Sequence, residues 1–329
     1  MTIVAPVADH QPLAASRMKT TDWPDIPYGA WRDTCDALHL YAQVVGKYRL
    51  ARTPWLCHSW HATLYPSALG LTTGLVPDGP GGIELILDLV EHRVIGAANN
   101  GRRAGFKLAS MSVAQFDTEL RILINELGGT PHWHWSPNEV AAPVPFAEDT
   151  AQRPYDADAV SRFHRALILV ALVFAEFRTA FLGKASPVHL FWGSFDLAVT
   201  RFSGRRAPIH PGGVPFLPDA VTREAYSHEV SSAGFWPGGG GVDYPCFYSY
   251  AYPAPPGFAP ARIQPSAAHY DVTLGEFILP YEAVRTSPDP AGMLMSFLQD
   301  TYRTAADLAN WDVRNLECQV GRPLRPRQI

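Results

Sequence analysis

The stretch from Asp156 to Leu182 sets the tightest limit on what this chain can fold into. Phe163, Leu167, Val170, Phe174, Phe177 and Phe181 recur along it, Asp156 stands where an N-cap belongs, and Gly183 closes it, so the pattern predicts one long helix. Its centre, Ala166 to Ala175 (ALILVALVFA), is apolar on every side. These ten residues, flanked by Arg165 and Glu176, fall short of the roughly 20 that cross a bilayer. The helix must therefore be enclosed by other protein layers. Nearly half of the 329 residues are hydrophobic (47%), enough to build those layers. At roughly 150 residues per domain the length predicts about two lobes.

The rest of the chain supplies both helix and strand signals. Gly29–Val45 reads as a helix with Trp31, Leu38, Tyr41, Ala42 and Val45 on one face. Ser112–Leu127 reads as another, with Ser112 and Gln115 spaced as a capping box and Gly128 ending it. A last helix starts at Asp289-Pro290. Strands are expected over His58–Tyr65, Ile83–Val90, Arg93–Ala97 and Arg102–Leu108, with a turn at Asn100-Gly101. Further strands are expected over Val188–Thr200, Glu224–Ser232, Phe247–Tyr252 and near Glu276–Leu279. Long helices with mixed or antiparallel sheets predict an α+β fold rather than a doubly wound sheet. The chain divides into a disordered leader (1–22), an N-terminal lobe (23–135), a proline-rich linker (136–154) and a C-terminal lobe (155–329). Each lobe runs helix, Gly-Lys pair (Gly46-Lys47; Gly183-Lys184), proline, His and Trp, strands, helix. Two explanations stay open: an old duplication giving pseudo-repeated lobes, or chance recurrence.

Several function classes are excluded or weakened. A charged fraction of 18% and net charge of −4 do not make a nucleic-acid surface. Four cysteines without a C-x-x-C pair fit a reducing cytoplasm and no zinc module. The N-terminus lacks the order of a signal peptide. No P-loop, G-x-G-x-x-G, nucleophile elbow or H-E-x-x-H is present.

The richest stretch is His189–Gly241. A strand over Glu224–Ser232 would turn Glu224, Tyr226 and His228 to one face. That face points to His228 as an acid–base group, with Glu224, Asp196 and Tyr226 as catalytic partners. A metal site is the competing reading: His189, His210 and His228, with Glu224 or Asp196, suit Fe or Zn. A third reading places His228 and Glu229 in a structural hydrogen-bond network. Arg201, Arg205 and Arg206 would hold an anionic group unless they form a solvated turn, and Trp192 and Trp236 would wall the pocket. Proline-rich and glycine-rich loops at Gly204–Pro218 and Gly234–Pro245 would form walls or a lid; eleven of the 30 prolines fall between Arg205 and Pro265. His132 and His134 make an H-x-H pair that suits metal chelation or marks an exposed strand end, and His58 and His61 read as structural unless one of them lines a pocket. The alternating rings of Phe247–Tyr252 read as sheet core rather than a stacking platform.

Four long motifs, WPDIPYGAWRDT from Trp23, WGSFDLAVTRFSGRRAP from Trp192, EAYSHEVSSAGFWPGGG from Glu224 and GEFILPYEAVR from Gly275, resemble a bacterial family catalogued as domain of unknown function 5996. The resemblance runs from about Trp23 to Trp311 and implies one architectural unit. It brings no activity, cofactor or catalytic residue to any position. The expectation is therefore a cytoplasmic enzyme acting on a small anionic molecule; the alternative is a small-molecule-binding or partner-binding protein without turnover. Convergence of His228, Glu224 and Asp196 or His189 in one cleft favours the enzyme; dispersal, with each satisfied by the backbone, removes the enzyme reading built on them.

Overall fold

The buried helix forms where its pattern places it. In the computed structural model, which describes residues 18–239 and 241–327, it runs over Ala157–Thr179. The Asp156 carboxylate accepts from the Ala159 N–H at 3.0 Å, which satisfies one of the donors left open at a helix start. The order before it is α1 (Tyr28–Leu50), β1 (Tyr65–Pro66), β2 (Gly70–Asp78), β3 (Gly81–Asp88), β4 (Arg93–Ala98), β5 (Arg103–Lys107) and α2 (Val113–Leu127), which makes the buried helix α3. After it come β6 (His189–Phe191), β7 (Asp196–Arg206), α4 (Asp219–Ala225), β8 (His228–Trp236), β9 (Cys246–Tyr252), β10 (His269–Asp271), β11 (Glu276–Pro280), α5 (Tyr281–Arg285), α6 (Pro290–Leu308) and α7 (Val313–Leu316). The fold is α+β.

Both sheets are antiparallel. The first follows chain order, β1-β2-β3-β4-β5. The second runs β10-β11-β9-β8-β7-β6, so the chain leaves β9, lays down the outer strand β10 and returns with β11 beside β9. The sheets meet edge to edge through a bridge in which Leu64 and Leu190 exchange backbone hydrogen bonds of 3.0 and 2.7 Å. One continuous apolar core runs from Trp23 to Trp311 across both halves. α3 sits within it, packed on α6, β1 and β7.

Local chemistry explains the helix ends. The Ser112 side chain accepts from the Gln115 N–H, and the Gln115 side chain returns the contact to the Ser112 N–H. Gly128 takes the left-handed conformation (φ 84°) that ends α2. The Asp289 carboxylate caps α6 at Gly292 N–H, 2.9 Å.

Several expectations change. His58–Tyr65 is not a strand: Cys57–Ser59 forms a 3-10 turn in which His58 and Ser59 have φ near +60°, a geometry no strand holds. Val188–Thr200 is two strands joined by a tight turn, where Phe195 has φ 57°. Glu224–Ser232 divides between the end of α4 and the start of β8. β2 carries no strand signal in the sequence because a bulge between Thr72 and Leu75 breaks its alternation. Of the leader expected over 1–22, residues 1–17 lie outside the described residues; Thr20–Asp22 forms a 3-10 turn tied to the Ser287 carbonyl by Thr20 Oγ1. Residues 136–154 contain no helix or strand beyond one isolated bridge, yet Phe146 within them is buried in the core.

Candidate functional site

Strand parity decides what the second sheet can present. Leu197, Val199, Phe235 and Phe247 are buried on the face that joins the core. Asp196, Ala198, Thr200, Ser232, Tyr248, Tyr250 and Glu276 line a cavity of about 440 Å³ on the opposite face. Registers Ala198↔Gly234↔Tyr248 and Thr200↔Ser232↔Tyr250 set this floor in rows. Gly234 is required there: the Tyr248 ring occupies the place of any Cβ. The walls come from the Trp55–Ala62 segment, from α4, and from Glu139 and Trp192.

Three carboxyls line this one space. Asp196 is buried and accepts from Ser194 Oγ at 2.5 Å and from Tyr248 Oη. Burial raises its pKa while these two donors pull it back. Glu139 is pushed up to about 7, first by burial and then by the charge of Asp196, with Lys47 opposing. Glu276 is pushed up to about 8 by burial, then by Asp196 and Asp271. Its Oε2 is buried with no hydrogen-bond partner, as are the hydroxyls of Thr222 and Ser59 on the same cavity.

The N-terminal half aims Glu139. Gln43 on α1 donates to the Asn138 carbonyl and accepts from the Asn138 N–H, both at 2.8 Å. His39 bonds the Gly193 carbonyl through Nε2 at 2.9 Å, holding the β6–β7 turn. The Glu139 carboxyl lies where a Cβ at Gly193 would stand, so a larger residue there would displace that carboxyl. Lys47, lowered to about 8 by burial, bonds Asn138 Oδ1 behind it.

The residues singled out from sequence separate. Asp196, Tyr226, Trp192 and Trp236 line the cavity. Tyr226 donates to Tyr250 Oη at 2.9 Å, and Trp192 Nε1 donates to the Ala62 carbonyl at 2.6 Å. Glu224 does not line it: its carboxylate accepts the His58 N–H at 3.1 and 2.9 Å and so fixes the 57–59 turn. His228 pairs with Ser227 Oγ at 3.1 Å, its ring 6.2 Å from that of His58, also outside the lining. The shared face expected for Glu224, Tyr226 and His228 fails because α4 and its end replace half of the supposed strand.

The proposed ligand set separates too. His189 is sealed in the interior, bonded to Thr63 Oγ1 at 3.1 Å and lowered to about 3 by burial. His210 stacks on Tyr226, ring centroids 5.0 Å apart, and its Nδ1 accepts from the Gly212 N–H. Among the described residues no three His, Cys, Asp or Glu side chains converge as metal ligands, and His189, His210 and His228 are not brought together as a set.

The three arginines expected to hold an anion are elsewhere. Arg201 has the opposite parity to Asp196 and Thr200, so it points into the core. There its guanidinium lies 3.5 Å from the Phe177 ring centroid and 4.3 Å from that of Tyr302, and it donates to the Phe177 carbonyl. Arg205 binds Glu229 at 2.7 Å on the surface and donates to the Ala309 and Asn310 carbonyls. Arg206 ends β7, exposed. His132 and His134 lie in irregular chain with their shared neighbour Trp133 buried, rather than on a strand.

Reading the sequence missed Glu139, Glu276, Tyr248 and Tyr250. The tyrosines did carry a signal: alternate rings on β9 share one face, and that face is the cavity floor rather than the core. Glu276 heads β11 with the parity of Ile278, which packs beside Tyr248 on the same side of the sheet. Glu139 had none, being a lone glutamate among prolines.

His58 is positioned to be neutral. Its Nδ1–H donates to the Ala225 carbonyl at 2.7 Å, and Nε2 accepts from Lys184 Nζ at 2.6 Å. Burial lowers its pKa, Lys184 adds to the effect, and the Ala225 contact opposes it. Among the described residues neither arginine nor lysine lines the cavity.

Residues 23–318 match the model of a family of unknown function, DUF5996, and the chain belongs to that family. No curated protein and no solved structure matches the chain.

Proposed function

We propose that this member of a family of unknown function is an enzyme that performs acid–base chemistry on a small organic molecule held in the aromatic cavity. The observation that carries the reading is the meeting of Asp196, Glu139 and Glu276 on one half-open cavity, with Glu139 held near 7 and Glu276 near 8. Groups that exchange a proton near neutrality are what general acid–base catalysis requires. Asp196, receiving two hydroxyl donors, is the carboxyl best supported as an anion and takes the role of base. Glu139 and Glu276, raised first by burial and then by that charge, retain protons and take the role of acid. Tyr248 holds Asp196 in place, and the Gln43–Asn138 pair holds Glu139. Four free cysteines support a reducing compartment, the cytoplasm, as the setting. Among the described residues no helix is long and apolar enough to cross a membrane.

Incubating the protein with a metabolite extract tests the reading, with untargeted mass spectrometry before and after. The expected result is a compound consumed by the natural protein but not by folded Asp196→Asn. A compound retained by the protein and returned unchanged overturns catalysis and leaves a binding protein.

A further inference from the structure

We infer that the ligand of this cavity is an organic cation, a primary ammonium group on an apolar body, seated with its N–H donors toward Glu276 and its body against the aromatic walls. The inference rests on the reading of the cavity as the small-molecule site and names the class of molecule it takes.

Charge is the first support. Among the described residues three carboxyls line the space and no lysine or arginine does. The nearest cations are committed elsewhere: Lys47 to Asn138 and Lys184 to His58. An anion entering here would meet carboxyls, whereas a cation would find Asp196 and two glutamates able to give up their protons to it.

Orphaned polar atoms are the second. Buried oxygens are nearly always hydrogen-bonded, and an unpaired one is costly. Glu276 Oε2 has no partner, and the fully buried Thr222 hydroxyl on the same cavity has none. A carboxylate oxygen accepts only, so what completes Glu276 is a donor. An ammonium supplies up to three donors and the charge to match.

The walls are the third. Trp192, Trp236, Tyr226 and Tyr248 enclose the space, and Trp236 and Tyr248 stand 4.5 Å apart between ring centroids. Aromatic faces attract cations, most strongly where water is excluded. A cavity of about 440 Å³ falls in the range of small-ligand sites and accommodates a single-ring amine.

Proton release follows from the same arrangement. Glu276 and Glu139 sit high because their charged forms are buried beside Asp196. A bound cation favours those charged forms, so its entry drives protons off.

Titration calorimetry on the full chain tests this with three probes of one shape: benzylammonium, benzyl alcohol and benzoate. Benzylammonium is expected to bind about tenfold more tightly than benzyl alcohol, with benzoate weakest. Repeating the benzylammonium titration in two buffers of different ionisation enthalpy should reveal protons released on binding. Glu276→Gln, checked for a single cooperative melting transition, should lose most of the preference for the cation. Should that variant not fold, the proton count on the natural protein decides in its place. Equal binding of cation and alcohol, tighter binding of benzoate, or no benzylammonium binding at about 10 mM overturns the inference. The two readings fail separately. Turnover of an uncharged compound without cation preference removes the ligand class and leaves the chemistry. Cation preference with every compound returned unchanged does the reverse.

Discussion

Asp78 and Glu276 are both strand-end carboxyls, one in each sheet, and they live in opposite conditions. Asp78 closes β2 and is surrounded by donors: Tyr48 Oη at 3.0 Å, Arg52 Nε at 3.0 Å, and the Thr130 N–H and hydroxyl at 2.9 and 3.0 Å. Burial pushes its pKa up, but these contacts outweigh it and the net shift is down. Glu276 opens β11 with an oxygen no group satisfies, and it is pushed up to about 8. The first arrangement welds α1, the first sheet and the end of α2 together. The second leaves a proton exchangeable in a cavity. A carboxylate whose valences are all met serves the fold; one left incomplete is available to a ligand.

The largest expected effect tests the welded side. Asp78→Asn keeps the shape but removes the charge that Arg52 faces, and should cost about 3–5 kcal/mol in urea unfolding. If it costs no more than Glu276→Gln, the contrast between the two carboxyls is broken.

The next effect concerns pH. Glu139 and Glu276 have folded pKa values of about 7 and 8 against an ordinary 4.5. Groups raised in this way hold their proton more firmly when folded. Their contribution to stability is complete below about 4.5 and is lost as pH rises to about 7 and about 8 respectively. Asp78, lowered by its donors, works in the other direction: its contribution is present above the unfolded value and lost as pH falls through the folded one. Glu139→Gln and Glu276→Gln should each flatten the decline between pH 5 and 8, gaining roughly 2 kcal/mol at the alkaline end. Melting curves across that range would show it, and an unchanged slope would remove both glutamates from the proton-holding role.

Tyr248→Phe removes a donor from buried Asp196 without opening space. A loss of about 1–2 kcal/mol is expected, with weaker ligand binding. The same substitution at Tyr250, which bonds Tyr226 rather than a carboxyl, should cost less. The smallest effect is at Arg205, whose pair with Glu229 is exposed: Arg205→Ala should change stability by less than about 1 kcal/mol and leave benzylammonium binding untouched. Any change in that binding would return Arg205 to the site.

Much of the framework was legible because its causes are close in sequence. The Ser112, Asp156 and Asp289 caps act on groups three residues away, and the stripe of α3 repeats every turn, so each is written in a short window. Parity on β7 carried more than the composition of that strand: it already set Arg201 against Asp196 and Thr200. The reading of Glu224 and His228 as strand neighbours failed because propensity over nine residues does not reveal that Pro218 starts a short helix, whose last turn then holds the 57–59 segment.

What the sequence by itself determined is the α+β class, most of the helix boundaries, the need to bury α3, and family membership through its long motifs. What only the tertiary structure decided is which polar residues meet. Gln43 reaches Asn138 across 95 positions, His58 N–H reaches Glu224 across 166, and Tyr248 reaches Asp196 across 52. No local rule encodes such pairs. They exist because apolar packing of the two sheets around α3 brings those segments together, and the buried carboxyls acquire their properties only once water has been excluded from around them.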